Sequence, residues 1–458
     1  SNICFCSSLL YSKGNSSNLF LLKIKSKFSS LSASDIFVAS VGATLNATIS
    51  ANYTATTDAK NDGTANLTLG TGGLTVDLTS AAGSKGFNLI GSSGTDTITA
   101  TGKADTFTIA SSGQGNLDVL DGAGGADTLQ LSAGSHVFAS DANFKNIETV
   151  LANTAGSSVN LSAQTEGFTI TGGDGIDTII GGDGVDIITG GAGNDTITMT
   201  ALAATDTIDG GDGVDTISTN QAIASATVLG GVSNVETLTS TGSVTIALSA
   251  NVSPTTFNFV DTTDNVLTLD EGYTNATTVI LATSTAADST DPADSVVNLA
   301  NVDLTVQAST LGLDTELTLT GGSGTDTLNL YLGGNADETL VNSVSGFENF
   351  TILDNPAGNT ATTLTFGAYN PGTGKNITID ASAIDATDTA NLVIDASSVT
   401  AATTGKQITY TDGAGATSLT LGQDDDTATM GVGNDTVVGT SGANTIDMGA
   451  GNDSVTAG

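Results

Sequence analysis

The residues with the clearest chemical promise lie at 172–198, where three nonapeptides follow one another without interruption: GGDGIDTII, GGDGVDIIT and GGAGNDTIT. After Met199 and Thr200 come a degenerate copy, ALAATDTID (201–209), and another good one, GGDGVDTIS (210–218). The first six residues of each make a turn in which glycines take φ > 0 and aim carbonyls inward. The sixth residue adds a carboxylate oxygen. The last three make a short strand whose eighth-position side chain points into a core. Carbonyl and carboxylate oxygens gathered in one turn are ligands for a hard cation. The candidates here are Asp177, Asp186, Asp195, Asp206 and Asp215 at position six, with Asp174, Asp183 and Asp212 at position three.

With that phase, weaker copies emerge. Residues 91–108 read GSSGTDTIT, ATGKADTFT; after a four-residue insertion, 113–130 read GQGNLDVLD, GAGGADTLQ. GGSGTDTLN stands at 321–329, a loose copy at 333–341, and LGQDDDTAT, MGVGNDTVV, GTSGANTID, MGAGNDSVT across 421–456. They add Asp96, Asp105, Asp118, Asp127, Asp326, Asp426, Asp435 and Asp453 to the candidate metal ligands. Degenerate copies usually keep position six acidic and position eight apolar while losing glycines. A second repeat sets Glu148, Glu236 and Glu348 at 21, 21 and 22 residues after Asp127, Asp215 and Asp326, in strands of similar sequence. The constant offset predicts one module used three times, a cation-bound roll running into a strand that caps or continues the sheet. The same offset counted from Asp453 falls beyond Gly458. The expectation is therefore that the chain continues, or that a neighbouring subunit covers the last strand.

The elements that position these turns read as β throughout. Alternating segments such as Val244–Leu248, Leu267–Leu269 and Leu317–Leu319 are half apolar and half hydroxyl. No helix-length amphipathic pattern occurs. Ile379-Asp-Ala-Ser382 and Ile394-Asp-Ala-Ser397, fifteen residues apart, hint at β-solenoid rungs. The segments drawn are 1–35, a basic stretch with Lys13, Lys23, Lys25 and Lys27; 36–90, β-rich; 91–171 and 172–240, each a roll with a capping strand; 241–320, β-rich; 321–420, degenerate repeats and solenoid; and 421–458, a last roll.

Charge limits the functions open to such a chain. Forty-eight acids face ten bases, for a net charge of −38, and every base is Lys. No base lies between Asn146 and Gly374. Nucleic acid is excluded as a partner, since phosphate binding needs Lys and Arg. No run of about 20 apolar residues is present to span a membrane. The single histidine, His136, rules out a two-histidine zinc site and reads as a strand residue. There is no G-x-S-x-G nucleophile elbow. The reading is that the chain is not an enzyme.

The nonapeptides match the G-G-x-G-x-D-x-U-x pattern, in which U is a large apolar residue, and so resemble the RTX (repeats-in-toxin) family. The resemblance implies an all-β fold: parallel β-roll or β-solenoid blocks binding Ca²⁺ between loops, alternating with other β-sheet segments. Two nonapeptides then make one coil, and several calcium ions sit between repeat n and repeat n+2. That rule pairs Asp177 with Asp195, Asp96 with Asp118, Asp105 with Asp127 and Asp435 with Asp453; Asp195 pairs with Asp215 unless the Met199-Thr200 insertion breaks the edge. Asp186 opposite Asp206 and Asp426 opposite Asn444 make weaker sites. At any one pair the competing arrangement is a glycine turn held by hydrogen bonds alone, and it weighs more at 91–130. The overall texture is similar to RTX-type surface-layer and surface-fibril proteins. That implies a secreted bacterial cell-surface protein exported by a type I system, with copies of itself as its partner. The basic segment is a candidate anchor for an anionic envelope polysaccharide. The alternative is an RTX adhesin for a carbohydrate, a protein or ice.

Crowded carboxylates should couple folding to the metal. Circular dichroism in EGTA is expected to lose β signal that returns with Ca²⁺ and much less with Mg²⁺; an unchanged spectrum after thorough chelation excludes this reading.

Overall fold

The computed structural model describes residues 3–6, 31, 35–109, 118–260, 264–281, 294–309, 317–331, 337–339, 344–353, 362–367, 369–372, 374–385, 392–399 and 407–458. Among them there is no α-helix, and every strand pairing is parallel. The lysines of the basic segment, the first turn of the copy at 113–121 and most of the loose copy at 333–341 lie outside the described residues. The chain divides into two compact units: Ser1–Ser218 with Gly231–Val235, and Thr219–Gly230 with Glu236–Gly458.

Each unit winds as a parallel β-solenoid. In the first, ten strands form one wall, from Thr44–Ile49 and Thr64–Leu69 through Thr169–Gly173, Ile187–Ala192 and Thr207–Asp212 to Val232–Ser233. The side chains alternate, so each strand sends every second residue inward. Register aligns these inward residues into a row: Leu67, Leu89, Phe107, Leu129, Val150, Ile170, Ile188 and Ile208. None is more than 1 % exposed. Facing walls carry Thr97–Thr99 and Val119–Asp121, then Ser157–Asn160, Thr178–Ile180 and Thr196–Met199.

The second unit repeats the design. Its inward row runs Leu238, Phe257, Val279, Val306, Leu328, Phe350, Ile379, Tyr410 and Ala428. The β-rich stretches between nonapeptide blocks are therefore coils of the same winding, with longer loops. Ile379 and Ile394 stand on different walls, in Ile377–Asp380 and Leu392–Asp395. Their fifteen-residue spacing is part of a coil, and the next residue in Ile379's row is Tyr410. Asp380 and Asp395 each end their strand by accepting the N–H two residues on, from Ser382 and Ser397, both at 2.9 Å.

Parallel sheets of this kind are held by apolar rows packed between walls, with few aromatics to help. Ile188→Ala is expected to cost about 2–5 kcal/mol, measured by urea unfolding in saturating Ca²⁺. A change within error would mean that the row is not a close-packed core.

Candidate metal centre

The position-six aspartates sit inside the winding. Asp96, Asp105, Asp118, Asp127, Asp177, Asp186, Asp195, Asp206, Asp215, Asp326, Asp426 and Asp435 are all 3 % exposed or less. Asp453 is half-buried, while Asp174, Asp183 and Asp212 at position three are exposed on the loops. Burial follows from a backbone contact: each position-six carboxylate reaches back one coil and accepts an amide. Asp195 Oδ1 accepts the N–H of Asp177 at 2.8 Å, and Asp177 Oδ1 that of Ser157 at 2.6 Å. The same step joins Asp118 to Asp96, Asp127 to Asp105, Asp206 to Asp186, Asp215 to Asp195 and Asp453 to Asp435, at 2.6–3.1 Å. Every n+2 aspartate pair expected from the sequence is thus brought together, and the Met199-Thr200 insertion does not break the edge. Asn444 takes the same place over Asp426, with its Oδ1 on the Asp426 amide at 2.9 Å.

The two capping glutamates seen in this contact continue the ladder. Glu148 and Glu348 accept the amides of Asp127 and Asp326, each at 2.7 Å. Sequence reasoning missed two further members. Asn265 accepts the Val244 amide and Asp294 the Asn265 amide, both at 2.9 Å. Their signal is minimal: an acid or amide two residues before a buried apolar side chain, Leu267 or Val296.

What separates the turns is the second carboxylate oxygen. In Asp177, Asp186, Asp195, Asp127, Asp426 and Asp435 the Oδ2 atom is buried without a hydrogen bond. Leaving such an atom unpaired costs about 1–3 kcal/mol. The position-one glycine lies directly over it: a Cβ on Gly172, Gly181 or Gly190 would stand 2.5–2.8 Å from Oδ2 of Asp177, Asp186 or Asp195. Glycine therefore lets that oxygen and neighbouring carbonyls, such as that of Gly190 above Gly172, approach the turn more closely than any side chain would allow. Buried carboxylate and carbonyl oxygens gathered this closely are donors of the kind Ca²⁺ takes. Among the described residues no three His, Cys, Asp or Glu side chains cluster, so carbonyls must supply much of any coordination shell.

Other turns pair the second oxygen. Ser92 gives its N–H and hydroxyl to Asp96 Oδ2 at 2.9 and 3.0 Å, and Thr101 does the same for Asp105 at 2.9 and 2.7 Å. Asp206 Oδ2 takes the Ala203 amide at 2.8 Å. Asp326 has Gly322 N–H on Oδ2 at 2.8 Å, and one coil on, Lys375 sets its ammonium against both Glu348 Oε1 and the Gly324 carbonyl. The first base after a long base-free stretch thus lands where a cation is wanted. His136 is buried in the strand Gly134–Val137, with Nε2 2.9 Å from the Ser132 carbonyl oxygen.

Fold and site together define a parallel β-solenoid with hard-cation turns stacked along its edges. A family model for the RTX calcium-binding nonapeptide repeat matches in four copies, at residues 90–108, 169–197, 198–221 and 430–458. These segments of the chain carry the RTX calcium-binding nonapeptide repeat. Asp118, Asp127, Asp326 and Asp426 lie outside the matched segments. No curated protein matches the chain.

Burial pushes these carboxyls up from their ordinary 3.8: Asp186 and Asp426 to about 6, and Asp127 to about 7, where Asp105, Glu148 and Asp121 add repulsion. A raised folded-state pKa means the folded protein holds more protons than the unfolded chain between about pH 4 and 7. Metal-free stability is therefore greatest in acid and lost as pH rises through that window. Calcium needs the ionised forms, so its stabilisation should run the other way. Melting in EGTA is expected to fall from pH 4.5 to 7.5, while the upward shift given by millimolar Ca²⁺ grows. Parallel curves would show that the acids carry no ion.

Proposed function

We propose that this chain is a calcium-folded structural subunit of a bacterial cell surface, assembling with copies of itself into a lattice or filament. One observation carries the reading: the carboxylate ladder recurs through both units as part of the winding itself, so the acids are framework and not a local active site. The perturbed carboxyls are buried under glycine turns, and His136 is packed in a strand. Neither arrangement offers a substrate a general acid or base, which supports a structural role. RTX repeats are typical of proteins secreted by type I systems, where external calcium is available. The ions are assigned to turns whose own aspartate keeps an unpaired Oδ2, above all those of Asp177, Asp186, Asp195 and Asp435. The turns at Asp96 and Asp105 are closed by hydroxyls and that at Asp326 by Lys375, so these are expected to hold without metal. Anchorage to an anionic envelope polysaccharide is assigned to residues 1–35.

The adhesin reading has its own support. In the second unit an outward row aligns Thr237, Thr256, Thr278, Thr305, Thr327, Asn349, Thr378, Thr409, Thr427 and Thr445. Such a row repeats at the strand spacing of about 4.7–4.9 Å, a regular hydroxyl array able to order water or meet a polar surface. Threonine is also simply a good strand residue, so the row weighs less than the ladder. Negative-stain microscopy of the full chain decides between them. Sheets or fibres that form in millimolar Ca²⁺ and dissolve in EGTA are expected. A monodisperse monomer that binds a glycan or an ice face would establish the adhesin instead.

A further inference from the structure

One buried acid belongs to no recognised repeat. Asp412, in Tyr410-Thr-Asp-Gly-Ala-Gly-Ala-Thr-Ser-Leu419, precedes the matched segment that starts at residue 430. Register supplies its phase. Leu419 pairs with Val437, the position-eight residue of MGVGNDTVV. Counting back places Gly413 and Gly415 at positions two and four, as the pattern requires, but Asp412 at position one and Thr417 at position six. The acid and the small residue have exchanged ends of the turn.

The exchange is geometrically sound. In ordinary repeats a Cβ at position one would point straight at the position-six carboxylate, as Gly172 does toward Asp177. A carboxylate grown from position one therefore reaches the space that a position-six carboxylate normally fills. The hydrogen bonds agree. Thr417 donates its hydroxyl to Asp412 Oδ1 at 2.9 Å and its backbone N–H to Asp435 Oδ1, also at 2.9 Å. One residue thus holds the two carboxylates side by side, and Tyr410 adds its hydroxyl to Asp412 Oδ1 at 2.8 Å. Both second oxygens, Asp412 Oδ2 and Asp435 Oδ2, are buried without a hydrogen bond. Asp412 is 8 % exposed and Asp435 1 %. The Gly413 and Gly431 amides face the Asp412 carboxylate, and among the described residues neither acid has an ion-pair partner. A Cβ on Gly431 would collide with the Gly413 carbonyl oxygen, so carbonyls crowd the same place.

We infer that Asp412 and Asp435 hold a further calcium ion, in a turn whose acid is carried at position one instead of position six. Two buried carboxylates held side by side repel each other when both are ionised, and a cation shared between them removes that cost. Two carboxylate oxygens and turn carbonyls are a calcium donor set. The inference rests on the calcium reading of the repeats and adds a site to it.

Calcium bound per full-length chain, counted by native mass spectrometry at saturation, tests it. Asp412→Asn keeps size and hydrogen bonding and is expected to bind one ion fewer. The double change Asp412→Gly, Thr417→Asp, which restores the common arrangement, should return the count to that of the unchanged chain. An unchanged count in Asp412→Asn, or a double variant that folds yet stays one ion short, overturns the site. An unchanged chain that binds no calcium overturns the calcium reading of the repeats as a whole, a separate failure. A second measurement leaves the ligands intact and covers the case in which Asp412→Asn does not fold. With Tb³⁺ as the probe, emission excited through tyrosine should be largely lost in Tyr410→Phe and kept in Tyr369→Phe, whose hydroxyl serves Phe347 beside the lysine-closed turn. Full emission from Tyr410→Phe would place the ion elsewhere.

Discussion

The structure depends on one contact: a side-chain carboxylate or amide oxygen accepting the backbone N–H of the residue one coil earlier. A parallel solenoid turns its backbone sharply at each corner, and the corner amides lose their ladder partners there. Buried amides must be paired. An acid or amide two residues before the inward apolar side chain meets this need at the turns described above, because its short side chain reaches the next corner in the stack. The oxygen that does so is satisfied. Its twin is carried inside with it, and the rest of the chemistry follows from that twin.

Three ways of treating the second oxygen are visible besides the turn amide that pairs it at Asp206 and Asp326. A hydroxyl at position two, Ser92 or Thr101, pairs it directly. A lysine on a later coil supplies a fixed charge, as Lys375 does for Glu348. In the third it is left unpaired under a position-one glycine, as at Asp177 and Asp195. The first two make a turn that is complete by itself. The third makes a turn that is incomplete until a proton or a cation arrives. Neighbouring blocks of one chain thereby differ in how much of their stability they take from the medium.

The nonapeptide phase made much of this legible in advance: the parallel winding, the inward row at position eight, the n+2 neighbours and the burial of position six all follow from a nine-residue period. Other features were hidden by distance along the chain. Coils are 18 residues where two nonapeptides meet but 20 or 22 across insertions. No fixed offset therefore points from Asp294 to Asn265, or from Lys375 to Gly324, 51 residues away. Position three differs from position six in burial, although aspartate looks the same in sequence at both: Asp174, Asp183 and Asp212 stand exposed. Only the side on which the backbone turns makes one exposed and the other buried. The primary task of the acid, accepting an amide, was invisible for the same reason: backbone donors leave no trace in a sequence.

The net charge of −38 takes on a particular meaning in this light. A dispersed acidic surface would be solvated and would ask little of the fold. Here a dozen carboxylates are stacked inside the winding, each close to the next along a ladder, with ten lysines in the whole chain to offset them. Ionising one raises the cost of ionising its neighbours. A divalent ion placed between two coils removes that cost at both at once, so loading one turn lowers the electrostatic penalty for the turn above it. The hydroxyl-closed and lysine-closed turns interrupt this coupling at fixed points. Assembly of the winding should therefore proceed in blocks, each bounded by a turn that needs no metal, with calcium deciding whether the coils between those boundaries close.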